Sequence, residues 1–338
     1  MAALEPELRI GGRTVGTGHP VFLVAEIGAN HEGDLGRAIE LVVEAARAGV
    51  DAVKFQSFLA ANFVTRNDPS FADLQRLEMP REWYGALRQA SDEAGVLMFS
   101  TATNDVTLRW MEELEFPCYK IASAHVTYYP LLKRTARLNK PVILSSGFST
   151  LSEIGRAVES IQETGNRQIA VLHCVGDYPM RPADANLKVM TTLREMFGCP
   201  VGYSDHAVGP TVALAAAAMG ADIIEKHFTF DRSMPGEDHA ISLEPAQLAA
   251  FVTSVREIEA ARGSGVKRLT EGERAARAVV RRTLHAATDI ATGTALTSEL
   301  VAVVRPSDGL TPDLLPAVLG RVTRLDLQEG DPITWDVV

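Results

Sequence analysis

Two lysines, two histidines and several hydroxyls stand near the C-terminal ends of short apolar runs in this chain. Glu26 lies in VFLVAEIG, Lys54 and Gln56 in AVKFQSF, Lys120 and Ser123 in CYKIAS, Ser145 in PVILSSG, Ser204 and His206 in VGYSDH, and His227 in IIEKHFTF. A strand covered on both faces should be almost continuously apolar, and polar groups buried there cost folding energy unless paired or used. Lys54 and Lys120 with Ser123, Ser145 and Ser204 make an anion cradle suited to a phosphate, or a phosphate plus a carboxylate. Taken singly, each lysine could instead snorkel to solvent and each serine could be a small filler. His206 and His227 sit one strand–helix unit apart, so equivalent depths on neighbouring strands let them share a divalent metal, with water or substrate completing the shell. The alternative is two hydrogen-bonded core histidines. Glu26, Asp205 and Glu225 add carboxylates that orient ligands or act as a base. No HExxH and no HxH on the first strand is present, so a two-histidine site would hold metal loosely, as a Lewis acid recruited with substrate.

The elements that must position these groups follow from the spacing. Eight apolar runs, completed by LMFSTA and IAVLHCV, alternate with helical patterns bearing start and stop signals, such as Asp34 before LGRAIELVVEAARAG and Thr150 with Glu153 in a capping-box position. Eight strand–helix units over about 240 residues match a (β/α)8 TIM barrel, whose strand C-termini converge on one mouth. A doubly wound open sheet is the alternative, but no GxGxxG follows the first strand. Residues 1–20 read as a hairpin capping the barrel bottom, 21–263 as the barrel and 264–280 as a charged linker with at least a helical turn. Residues 281–338 read as a small, mostly β domain, too small to be robust unless it packs on something.

The chain has 338 residues, a formal net charge of −10 and no long basic run, which argues against nucleic acid or an anionic membrane as partner. No signal peptide and no membrane span is read from the sequence. Cys118, Cys174 and Cys199 lack CxxC spacing and read as free thiols in a reducing cytoplasm.

AEIGANHEGD, AVKFQSF, YKIAS, ILSSGFST, GYSDH, IEKHFTFDRSMPGEDH and VVRPSDGL occur in that order along the chain. Together they resemble the sialic acid (N-acetylneuraminate) synthase family, including legionaminate and pseudaminate synthases, with its C-terminal antifreeze-like (SAF) domain. The resemblance implies condensation of phosphoenolpyruvate with an N-acetylated aldose to a 3-deoxy-2-keto sugar acid plus phosphate. It implies that Lys54, Lys120, Ser123, Ser145 and Ser204 hold phosphoenolpyruvate, with Tyr178 also binding substrate and Gln56 near the reacting centre. His206 and His227 would hold Mn²⁺, with Mg²⁺ or Co²⁺ as substitutes and no organic cofactor, and Glu26 or the metal would activate water. Arg305 would reach the acceptor in the partner's site of a domain-swapped homodimer. The resemblance is imperfect. His125 stands where a glutamate facing the acceptor is expected, and still offers a proton shuttle near neutral pH. Gly176 replaces an asparagine or serine, strand 3 ends STATN, and RPSDG carries Ser307 where glycine is usual. The phosphoenolpyruvate half matches the family and the sugar half departs from it. Two other readings remain at this level: a Schiff-base pyruvate aldolase using Lys54 or Lys120, and a non-catalytic sugar-phosphate-binding homologue.

Overall fold

A hairpin of β1 (Glu7–Ile10) and β2 (Arg13–Gly16) precedes eight parallel strands in the computed structural model, which describes residues 3–338 (for Glu237 the backbone alone). The parallel strands are β3 (Phe22–Gly28), β4 (Ala52–Ser57), β5 (Leu97–Ala102), β6 (Tyr119–Ile121), β7 (Val142–Ser145), β8 (Ile169–Cys174), β9 (Val201–Asp205) and β10 (Ile223–His227). They close into a barrel in the order β10-β3-β4-β5-β6-β7-β8-β9, which excludes the open doubly wound sheet. Helices between the strands cover the outside. Their ends follow local chemistry: Asp34 accepts a 2.7 Å bond from Arg37 N–H, Gly49 ends the same helix at φ 89°, and Thr150 and Glu153 form the reciprocal capping box.

Side chains alternate across each strand, so one parity fills the barrel and the other packs against the helices. At the lower level the inward residues are apolar: Phe22, Val24, Ala52, Phe99, Ile143, Ala170, Leu172 and Ile223 form one buried cluster. Leu8, Ile10 and Val15 of the hairpin belong to that cluster and plug the bottom; residues 1 and 2 of the segment read as a cap lie outside the described residues. Gly202 is needed there, because a Cβ would lie 2.2 Å from the Ile223 carbonyl oxygen. The outward parity supplies the larger core, for example Leu23, Val53, Phe55, Ile121, Leu144, Val171, Tyr203 and Ile224.

The chain divides into two compact units, Met1–Gly263 and Ser264–Val338. The second opens with a ten-residue helix, Glu271–Val280, capped by Thr270 and Glu273. The segment read as a linker with at least a helical turn is therefore mostly helix. β11 (Thr283–Ala286) then pairs antiparallel with β12 (Val301–Val304) over a small core of Leu284, Ile290, Leu296, Val318, Leu327 and Ile333. Among the described residues no helix is long and apolar enough to cross a membrane.

Candidate active site at the barrel mouth

Two residues further along each strand, the inward parity changes from apolar to polar. Strand register then brings the polar groups together: Glu26 pairs with Lys54 and with His227, Gln56 and Lys120 both pair with Thr101, Ser204 pairs with Glu225 and with Cys174. They surround a cavity of about 150 Å³ lined by Glu26, Lys54, Gln56, Thr101, Lys120, Ser123, Ser145, Phe148, Cys174, Gly176, Tyr178, Ser204, His206, Glu225 and His227, among others. Conserving a period of two over eight strands is what gathers residues 200 positions apart into one site.

The two ammonium groups are held by carboxylates. Lys54 Nζ lies 2.7 Å from Glu26 Oε2 and 3.8 Å from Glu225 Oε2, and donates to Thr101 Oγ1 at 3.2 Å. Lys120 Nζ lies 3.4 Å from Glu225 Oε1 and donates to Ser145 Oγ at 2.7 Å. Ser204 donates to Glu225 at 3.0 Å, and Gln56 Nε2 to Glu26 Oε1 at 3.0 Å. The carboxylates separate in character. Burial raises Glu26 to about 7, against the pull of Lys54. Glu225 is opposed by burial too, but Lys120 and Lys54 hold it down at about 2. Burial lowers Lys120, and Lys54 adds to that shift. Lys54 is itself raised: burial works against it, but Glu225 and Glu26 outweigh burial. Glu225 is thus a fixed counter-ion, and Glu26 is the carboxyl able to exchange a proton near neutral pH.

The histidines face each other with ring centres 5.5 Å apart. His206 Nδ1 donates to the Val175 carbonyl at 2.7 Å, which directs its Nε2 lone pair inward to the Tyr178 hydroxyl at 2.8 Å. His227 Nδ1 is buried without a hydrogen bond, 3.7 Å from Asp238 Oδ2. Burial lowers both rings to about 3, so both are neutral at physiological pH. Neutral imidazoles, one oriented through its far nitrogen and one with an unused buried nitrogen, fit a borderline divalent metal. Among the described residues no group of three or more His, Cys, Asp or Glu side chains is placed to hold a metal, so the remaining ligands must come from water or substrate.

Lys54, Gln56, Lys120, Ser123, Ser145, Ser204, Tyr178, Glu26, His206 and His227 all line this cavity. Ser123 arrives differently from the rest: β6 ends at Ile121, and Ser123 opens a short 3-10 turn through His125, with its hydroxyl accepting from Gly147 N–H at 3.0 Å. Asp205 does not reach the site. It has the outward parity and pairs with Lys226 at 2.9 Å behind the strands. His125 is absent from the cavity lining; its ring centre lies 6.3 Å from that of Phe63, burial lowers its pKa, and its buried Nδ1 has no hydrogen bond. Arg305 belongs to the second unit, exposed on the loop after β12. Thr101, Asp238 and Phe148 are not singled out in the sequence, and Cys174 is read there only as a free thiol. Thr101 and Cys174 were findable, since they share the inward parity of Lys120 and Ser204. Asp238 lies on the segment after β10, which Asn30 holds through Nδ2 bonds to the Phe228 carbonyl (2.9 Å) and the Ser242 hydroxyl (3.0 Å), a long-range placement with no local signal.

Comparison with known proteins agrees with this geometry. Residues 41–267 match the NeuB family and residues 281–338 match the SAF domain. The chain is 34% identical to N,N'-diacetyllegionaminic acid synthase of Legionella pneumophila, over 95% of each chain. It is 32% identical to human N-acetylneuraminate-9-phosphate synthase, over 99% of this chain and 97% of that one. The structure of N-acetylneuraminic acid synthetase from Leptospira borgpetersenii, in complex with citrate, superposes with a TM-score of 0.77 at 35% identity, covering 81% of this chain and 96% of that one. With a barrel closed in sequence order, a cationic cradle facing two neutral histidines, and matches along nearly its whole length, this chain belongs to the NeuB family.

Proposed function

We propose that this enzyme condenses phosphoenolpyruvate with an aldose of the N-acetylmannosamine or 2,4-diacetamido-hexose type, giving a sialic-acid-like 3-deoxy-2-keto acid and phosphate. The observation that carries the reading is the composition of one cavity: two buried lysines, two neutral histidines and a carboxyl poised near pH 7. Lys120, Ser145, Ser123 and Ser204 bind the phosphate, and Lys54 with Gln56 orients the carboxylate end. An arriving polyanion shares these lysines with Glu225, which stays ionised. His206 and His227 would hold a divalent metal, Mn²⁺ in preference to Mg²⁺ or Co²⁺, with water or substrate completing the shell; when bound it supplies Lewis acidity to the acceptor aldehyde. The C3 carbon of the enol phosphate forms the new C–C bond with that aldehyde as its C=O π bond opens, and the former aldehyde oxygen takes up a proton to become a hydroxyl. Water then adds at C2 as Glu26 takes its proton at a carboxyl oxygen, and the C2–O bond breaks to release phosphate.

Arg305 contacts the acceptor from the partner subunit of a domain-swapped homodimer in this reading. Its location is the cytoplasm, with three free, buried cysteines suited to a reducing compartment. Against a Schiff base on Lys54 stands its state, held as an ammonium by Glu26 and Glu225; for Lys120, which burial lowers, borohydride trapping decides. The test is phosphate release from phosphoenolpyruvate with Mn²⁺ across N-acetylmannosamine, 2,4-diacetamido-hexoses and unacetylated aldoses. Turnover with an acetamido sugar, loss of it with EDTA and no trapping by borohydride are expected. Failure of every aldose, or covalent trapping, rejects the assignment.

A further inference from the structure

Phe148 is an outlier twice over. It holds a left-handed backbone at φ 57°, which L side chains adopt at a cost, and its ring is 76% exposed, an unfavourable place for a phenyl group. The segment is not loose: Ser146 N–H donates to the Leu172 carbonyl and Gly147 N–H to Ser123 Oγ, both at 3.0 Å, and Thr150 caps the helix that follows. The ring lies flat against the backbone of Gly176, so closely that a Cβ there would stand 2.0 Å from its nearest carbon. Phe148 and Gly176 together line both the 150 Å³ catalytic cavity and a neighbouring groove of about 550 Å³. The ring is therefore the partition between a small polar cavity and a larger space open to solvent.

We infer that Phe148, seated on Gly176, is the wall that keeps bulk water from bound phosphoenolpyruvate and so couples its breakdown to the sugar. This rests on the function proposed above. Without the wall, the competing reaction is hydrolysis: water adds at C2, a proton goes to C3, the C2–O bond breaks, and pyruvate and phosphate leave with no sugar consumed. Gly176 supplies the seat. Any side chain there unseats the ring, although Gly176 itself lies outside the left-handed region and its backbone accepts alanine.

The test compares wild type, Phe148→Ala, Phe148→Leu, Gly176→Ala and the Phe148→Ala/Gly176→Ala double variant. Phosphate release is measured with and without acceptor, and pyruvate is measured separately. Phe148→Ala is expected to raise KM for phosphoenolpyruvate about tenfold and the pyruvate-to-product ratio at least tenfold, with Phe148→Leu partly restoring both. Gly176→Ala should reproduce the defect, and the double variant should be no worse than Phe148→Ala, because the glycine acts only through the ring. A folded Phe148→Ala enzyme with KM and pyruvate ratio within twofold of wild type overturns the inference, as does full additivity in the double variant. If wild type turns over no aldose, the proposed function has failed instead. Calorimetric binding of phosphoenolpyruvate then tests the wall alone, and an unchanged Kd in Phe148→Ala rejects it.

Discussion

Glu26 and Glu225 show how position within one cavity divides labour between like groups. Both are buried carboxyls beside Lys54, yet Glu225 also faces Lys120 and Ser204 and stays ionised, while Glu26, with fewer partners, is raised to about 7 by burial. A base must be deprotonated to act, and Glu26 ionises as pH rises through about 7. kcat/KM should therefore fall on the acid side with a midpoint near 7 in the free enzyme. Glu26→Gln keeps the shape and Gln56's neighbour but removes the titration; it should lower kcat/KM by about 10²–10⁴ and flatten that limb. A variant that retains the acid limb assigns it to another group. Much of this site could be read from residue type and parity alone: Lys54 with Gln56, Ser204 with His206 and Glu225 with His227 are two apart on their strands and so face inward together. The same rule, applied strictly, would have sent Asp205 outward, as the structure does. His125 and Asp238 were not legible because they sit on the short helical turns Ser123–His125 and Glu237–Ile241 that follow β6 and β10, too short for a period to fix direction, and Phe148 was not because its left-handed backbone leaves no mark in a single sequence.

At the scale of elements, β10 ends on His227, β9 ends one residue before His206, and the two strands hold each other from behind. Lys226 donates to Asp205 Oδ2 at 2.9 Å and to the Ala207 carbonyl, while Asp205 Oδ1 accepts from Ala207 N–H at 3.0 Å. The pair is buried, 1% and 0% exposed, and brackets the point where His206 leaves its strand. Removing one partner leaves the other as an uncompensated buried charge. Lys226→Met should destabilise the protein by about 3–5 kcal/mol, read by urea denaturation of the full chain. The Asp205→Asn/Lys226→Met double variant, with no stranded charge, should recover more than half of that loss. Equal stability of the single and double variants would mean that the ion pair contributes nothing specific. The strands themselves were evident in the sequence because eight apolar runs of similar length recur between capped helices. The exception is β6, reduced to Tyr119–Ile121 because the chain turns into the Ser123–His125 turn to deliver Ser123 to the cradle.

For the whole molecule, the question is what the second unit contributes. Its core is small, built on Leu284, Ile290, Leu296, Val318, Leu327 and Ile333, and Arg305 stands exposed on its loop. A charged side chain with no role would be an ordinary surface arginine; one donated to a partner's barrel makes each site depend on two chains. Arg305→Ala should then raise KM for the acceptor while leaving KM for phosphoenolpyruvate nearly unchanged, since the anion cradle lies wholly within the barrel unit. Mixing separates donation between chains from donation within one. In the proposed reading His227→Ala would lack a metal ligand, and Arg305→Ala would lack the acceptor contact. If the arginine crosses to the partner, a mixed dimer has one site with neither defect and one with both. Equal co-expression, with random pairing, then restores about a quarter of wild-type activity at low acceptor concentration. If the arginine serves its own barrel, every site in the mixture keeps one defect and activity stays at the mean of the two parents. The recovered fraction, together with a sedimentation measurement of the oligomeric state, decides between the two arrangements.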